Sequence, residues 1–287
     1  MTRKLPQVEV LHINYLEVGS VHANAADVFL YLTAFTSITH LILGSHFPSV
    51  TVFARLLCAL PRLSRLTCSG ITFATRGYAQ GAVIPPQQFT LTHFDANDRD
   101  HNLDVFDFLI SSLIISNTQY IGLDLQILFY NDPGSFCDRI QRMLVTAGPS
   151  LTKIHVNFHF EIPRAFVDNV NLRYSVKLEV LSLTLFRQSA AQLVNIYAVI
   201  SQASPSSLRQ VLLVFPDIRD PELDEKVSTQ IDQLLSTPHY RILSTVRIEI
   251  RRGHVQNKNL EDAWIELLST RFPRLCARGV LQCAHFA

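Results

Sequence analysis

A short pattern, apolar-x-x-apolar-x-apolar, recurs nine times along the 287 residues, and an internal repeat decides the fold before composition does. The copies run through Val8, Leu11 and Ile13; Ile38, Leu41 and Leu43; Leu63, Leu66 and Cys68; Leu91, Phe94 and Ala96; and Tyr120, Leu123 and Leu125. They continue through Leu151, Ile154 and Val156; Leu178, Leu181 and Leu183; Leu208, Val211 and Leu213; and Leu243, Val246 and Ile248, with a degraded interval ending at Leu281. Successive middle residues stand 25 to 35 positions apart. Each copy reads as a strand, because apolar and polar residues alternate at period two. In the clearest instance, Val156, Phe158 and Phe160 face one way while His155, Asn157 and His159 face the other.

Stripes of helical period lie between the strands. They comprise Val50, Phe53, Ala54 and Leu57; Leu103, Phe106, Leu109, Ile110 and Leu113; and Phe136, Ile140, Met143 and Leu144 behind the helix-start signal Asp132-Pro133. Leu193, Ile196 and Ile200 follow, then Val227, Ile231, Leu234 and Leu235, then Leu260, Trp264, Leu267 and Leu268. Two intervals break the pattern. Residues 69–89, with Gly70, Gly77, Gly81, Pro85 and Pro86, predict an irregular excursion or a short hairpin; residues 161–177, with Pro163, predict no helix. Both read as insertions within one domain spanning 1–287, built of eight to nine strand–helix units. Trp264 and the apolar tail from Leu275 to Phe286 are placed to close its C-terminal end.

The expected fold class is therefore α/β: a leucine-rich-repeat-like open solenoid, a horseshoe with a parallel sheet on the concave face and helices on the convex one. A (β/α)8 barrel has the same element order, but its strands are buried on both faces and read as continuous apolar runs. Here the positions between apolar columns are polar at Asp95, Asp124, Gln126, His155, Asn157, His159, Ser182, Thr184, Arg247 and Glu249, with Ile42, Leu212 and Val214 as exceptions. That favours the open form.

Composition excludes several function classes. With 48% hydrophobic residues the chain can bury a core, so general disorder is excluded. A net charge of +1 gives no global pull toward nucleic acid or an anionic membrane. The five widely spaced cysteines signal neither a disulfide framework nor a zinc cluster, and no N-x-[ST] acceptor occurs. Glu9 interrupts the N-terminus before a signal-peptide core forms, and no apolar run reaches membrane-spanning length. The expectation is a cytoplasmic or nuclear protein.

The run Leu41-Ile-Leu43, Phe47-Pro-Ser49, Leu56-Leu-Cys-Ala-Leu-Pro-Arg-Leu63 and Leu66-Thr-Cys-Ser-Gly-Ile-Thr-Phe73 resembles the leucine-rich-repeat region of F-box-like proteins from mushroom-forming fungi, and Leu178-Glu-Val-Leu-Ser-Leu183 is similar in style. The resemblance spans most of the chain and implies a target-recognition role. Its departure is at the N-terminus. The first strand motif begins at Val8, with only Leu5-Pro6 before it, so the helical F-box is expected to be absent and a ligase role is not carried over.

Signatures of catalysis fail: there is no Gly-Lys dipeptide, His-Glu pair, G-x-S-x-G elbow or G-x-G-x-x-G loop. Residues 95–100 lack the glycine and terminal glutamate of a calcium loop and read as a solvated loop capping the next helix. Asp95, Asp124 and His155 take the same repeat position on three strands, which predicts a ladder about 4.8 Å apart, open to solvent and suited to partner contact more than to catalysis. Arg241, Arg247, Arg251, Arg252 and His254 form a basic cluster that reads as a solvated strand end paired with Glu249. Phe106, Phe108 and Cys68 are expected in the core.

The function expected is protein–protein recognition, not enzymatic, through a concave face of Asp95, Asp124, Gln126, His155, Asn157, His159, Ser182, Thr184 and Arg247. No catalytic residue, cofactor or metal is expected. The partner is an unidentified protein, neither nucleic acid nor membrane, met as a monomer or within a hetero-complex. The alternatives are an enzyme on a (β/α)8 barrel and an F-box protein fragment without independent function.

Overall fold

The computed structural model describes all residues except 1–7, 15–34, 87–88, 99–102, 126–132, 186–189, 216–222, 252–257 and 287. The fold is mixed α/β, built from parallel strands and interleaved helices. It divides into two compact units, residues 1–125 with 138–150, and residues 126–137 with 151–287.

In the first unit the principal strands are β1 (Val10–Asn14), β2 (His40–Gly44), β4 (Arg65–Ser69), β6 (His93–Asp98) and β7 (Tyr120–Leu125). They pair in parallel and in chain order. Helices α1 (Val50–Cys58) and α2 (Leu103–Ser111) return the chain between strands, and residues 138–150 hold most of α3 (Pro133–Ala147). Ser49 caps α1 by accepting from the Val52 amide at 3.4 Å. The pleat sends Leu41, Leu66, Phe94 and Ile121 into the core, where Phe94 meets Phe106 of α2 edge to face. Phe106, Phe108 and Cys68 are all buried, as expected. Asp107 of α2 pairs with Arg139 of α3 at 3.0 Å.

The second unit repeats the plan with β8 (Lys153–Phe158), β9 (Val180–Leu185), β10 (Gln210–Phe215), β11 (Thr245–Arg251) and β12 (Leu281–Phe286), again parallel and in chain order. Ile154, Leu181, Val211 and Val246 form one buried row, and Leu281 continues it, so the degraded last copy is a strand. Helices α5 (Ala190–Gln202), α6 (Glu225–Leu235), α7 (Lys258–Arg271) and α8 (Pro273–Ala277) intervene. Trp264 of α7 is buried against Phe215.

One backbone device recurs at the strand starts. The carbonyl of the residue just before a strand accepts two successive amides from the next repeat. Glu9 takes Thr39 and His40, Thr39 takes Ser64 and Arg65, Ser64 takes Thr92 and His93, and Thr92 takes Gln119 and Tyr120. In the second unit Thr152, Glu179 and Arg209 do the same for their neighbours. Hydroxyls reinforce it, with Ser64 donating to Thr39 at 3.3 Å, Thr92 to Ser64 at 3.1 Å and Ser244 to Arg209 at 3.1 Å.

The C-terminal end of the second unit closes through two charges. Asp232 of α6, 2% exposed, accepts from the Arg274 and Leu275 amides of α8 at 3.2 and 3.0 Å. The Arg278 guanidinium donates to the Leu235, Tyr240 and Leu243 carbonyls. These replace water for polar groups that the tail would otherwise bury unpaired.

Four sequence expectations need correction. Of the two readings of 69–89 the hairpin fails among the described residues: β5 (Thr72–Thr75) pairs in parallel with β3 (His46–Ser49), and Phe73 joins Phe47 and Phe53 in an aromatic cluster. The described residues after Thr75 are irregular, as the other reading had it. Within 161–177 there is a short helix, α4 (Arg164–Asn169), held by Phe166 packing on Phe158, followed by a 3₁₀ turn over Leu172–Tyr174. Leu113 is not part of a buried stripe; it lies past the end of α2 at φ 59° and is 64% exposed. Residues 95–98 are not loop but the end of β6, and 99–100 lie outside the described residues. Among the described residues, no helix is long and apolar enough to cross a membrane.

Candidate functional site

The fifth repeat shows why the polar ladder needs revising. Phe94 pairs with Ile121, so Thr118 takes the first apolar position of that copy. Its hydroxyl, fully buried, is satisfied by the Leu91 carbonyl at 3.0 Å. A polar residue in an apolar slot moved the best pattern match two places on, to Leu123. A two-residue slip keeps every side chain on its face and changes its row. Asp95 therefore lies opposite Gly122, and Asp124 opposite Asn97; Asp95 and Asp124 do not form a ladder.

What the first unit brings together on its polar face is a different set. His40, Arg65, His93 and Tyr120 occupy one row, each the residue before an apolar marker. Thr67, Asp95 and Gly122 form the next row. His93 Nε2 lies 2.8 Å from Asp95 Oδ2, and the His93 and Tyr120 rings stack at 3.8 Å with 7° between planes. The Tyr120 hydroxyl also donates to Asp95. A Cβ at position 122 would collide with Asp95 Oδ1, so the glycine is what lets the carboxylate lie against the sheet. His40 Nε2 sits 3.2 Å from the Thr67 hydroxyl.

Burial, first, and the Asp95 charge and hydrogen bond, second, push the Tyr120 phenol up to about 12. A folded-state pKa above the unfolded value of about 10 stabilises the fold fully below pH 10, and that contribution is lost as pH rises through about 12. Tyrosinate absorbance, taken as the difference between wild type and Tyr120→Phe, should place this group near 12. Asp95→Asn should lower that midpoint without restoring 10, because burial remains. A midpoint indifferent to Asp95→Asn would break the link between the two groups.

In the second unit, His155 is half-buried and its Nδ1 lies 2.7 Å from the Ser182 hydroxyl. Asn157 and His159 are half-buried, the latter just past the end of β8. Ser182 and Thr184 do not line a solvated face as expected; they are 1% and 4% exposed. Each is a short side chain between larger register neighbours, Ser182 between His155 and Leu212, Thr184 between Asn157 and Val214. Arg247 faces Glu249 as a close ion pair whose N–H is poorly aligned, and Glu249 is almost fully buried. The basic cluster is thus partly a paired strand, as expected, while Arg252 and His254 lie outside the described residues. Gln126 lies outside them as well.

Only Asp95 of the first-unit cluster was singled out from the sequence. His40, Arg65 and His93 share one signal that could have found them, since each immediately precedes the marker of its repeat; Tyr120 joins them only once the marker moves from Leu123 to Ile121. The cluster can hold a protonated or hydrogen-bonding group in fixed orientation, and among the described residues no three histidine, cysteine or acidic side chains are placed to hold a metal ion. No protein-family model matches the chain, and no curated protein matches it.

Proposed function

We propose that this chain is a leucine-rich-repeat-type recognition module, resembling the target-binding part of F-box proteins, whose polar sheet face meets a partner protein in the cytoplasm or nucleus. The observation that carries this reading is the prearranged polar cluster on the first unit, where stacking and hydrogen bonds fix Asp95, His93 and Tyr120. Side chains already ordered lose little entropy when a partner docks, which favours affinity. Parallel strands in chain order and the recurring strand-start carbonyls support the stacked-repeat architecture, read as an open horseshoe with these faces concave. Small-angle scattering should then follow an arc and not a closed barrel.

The test is capture from cell extract with charge introduced on either side of the repeats. Asn97→Arg with Asp124→Arg, and separately Asn157→Arg, should lose a protein that wild type retains. Val145→Arg and Asp262→Arg, on exposed helix positions, should keep it. All variants must share the wild-type circular dichroism. If helix-side variants lose the partner and sheet-face variants keep it, the reading fails.

A further inference from the structure

Resting on that reading, we propose that the strand-start row of the first unit, with Arg65 at its centre, docks an acidic segment of the partner protein through its carboxylates. The register sets His40 on one side of Arg65 and His93 on the other, one strand spacing away. Arg65 is exposed, and no acidic side chain among the described residues lies within ion-pair distance of it. His12 is exposed on the neighbouring row.

The nearest acid already has partners. Asp95 lies against Gly122 and is hydrogen-bonded by His93 and Tyr120, so the charge it shows on this face, about a third exposed, is partly compensated within the cluster. The row therefore presents the Arg65 guanidinium, which has no acidic partner among the described residues, between two histidines and beside a carboxylate that already has partners, an arrangement complementary to an incoming carboxylate. The chain's net charge of +1 gives no long-range pull on an extended polyanion, so the match is a local one, of side-chain size.

His40 makes the proposal pH-dependent. Among the described residues it is faced by Arg65 on β4, by His93 and Asp95 on β6 and by His12 on β1, with Thr67 as hydrogen-bond partner. Burial, then Arg65 and His93, lower its proton affinity below the usual 6.5, while Asp95 opposes them. A carboxylate on Arg65 cancels that repulsion and lets His40 take a proton, so binding tightens as pH falls through this range.

The probe is labelled octaglutamate, read by fluorescence anisotropy at low ionic strength at about pH 7.5 and about pH 5.8. Wild type should bind about tenfold tighter at the lower pH, and Arg65→Glu should weaken binding about tenfold or more at both. His40→Gln should bind at the higher pH and lose most of the gain on acidification. His239→Gln, an exposed histidine of the second unit, should retain that gain and so controls for the general rise in positive charge. The proposal is overturned if octaglutamate does not bind at the lower pH, if Arg65→Glu binds as wild type does, or if the gain survives His40→Gln. Stronger competition by octadeoxythymidylate or phosphatidylserine vesicles would also overturn it, in favour of nucleic acid or membrane. If octaglutamate fails while the Asn97, Asp124 and Asn157 variants still lose the captured protein, only this proposal falls; if capture ignores those variants too, the recognition reading falls with it.

Discussion

Leu181→Asp should abolish cooperative unfolding of the second unit or leave the protein insoluble. Leu181 is fully buried, with Ile154 and Val211 as its register neighbours on either side. A carboxylate there meets only apolar surroundings and must either stay charged without a partner or be held protonated. The expected loss is about 4 kcal/mol or more, enough to consume much of the stability of an ordinary domain. Leu181→Met, which conserves volume, should cost less than about 1.5 kcal/mol. Thermal denaturation followed by circular dichroism compares the two. A soluble aspartate variant with the wild-type melting curve would remove Leu181 from the core.

Asp232→Ala should lower the melting temperature by about 5–15 °C, the shift expected for a loss of about 2–4 kcal/mol in a unit of this size. The carboxylate is nearly fully buried and accepts two amides at the start of α8, so alanine leaves the buried Leu275 N–H and the part-buried Arg274 N–H without their acceptor. Asp232→Asn keeps one acceptor oxygen and should restore part of the loss. Equal melting of all three proteins would mean that α8 finds other acceptors.

The repeat was legible because burial imposes a period. Ile38, Leu63, Leu91, Leu151, Leu178, Leu208 and Leu243 each stand two residues before a strand and are all buried. Register was legible wherever that first position was apolar, and it failed at Thr118, where a hydrogen bond to Leu91 stands in for hydrophobic contact. Side-chain alternation told which residues share a face. It could not tell that Ser182 and Thr184 would be shaded by longer neighbours, since depth depends on residues one strand away. The Asp95–Tyr120 contact depends on the missing Cβ of Gly122, which pattern-matching on apolar positions ignores. The parallel pairing of β3 with β5 was hidden for a similar reason, as its Phe47–Phe73 contact joins residues from two different repeats.

The doubly used carbonyls have an evolutionary consequence. They fix where each strand begins relative to the one before it, through backbone groups that every residue except proline supplies. Residues added or lost beyond a strand's far end then leave the alignment of neighbouring strands untouched. Repeat lengths from 25 to 35 residues coexist in one chain on these terms. Drift in connector length is thereby decoupled from drift in the polar rows: a lineage of such chains can lengthen its connectors freely while each row keeps its membership, and can change a row's chemistry by single substitutions without disturbing the alignment that displays it.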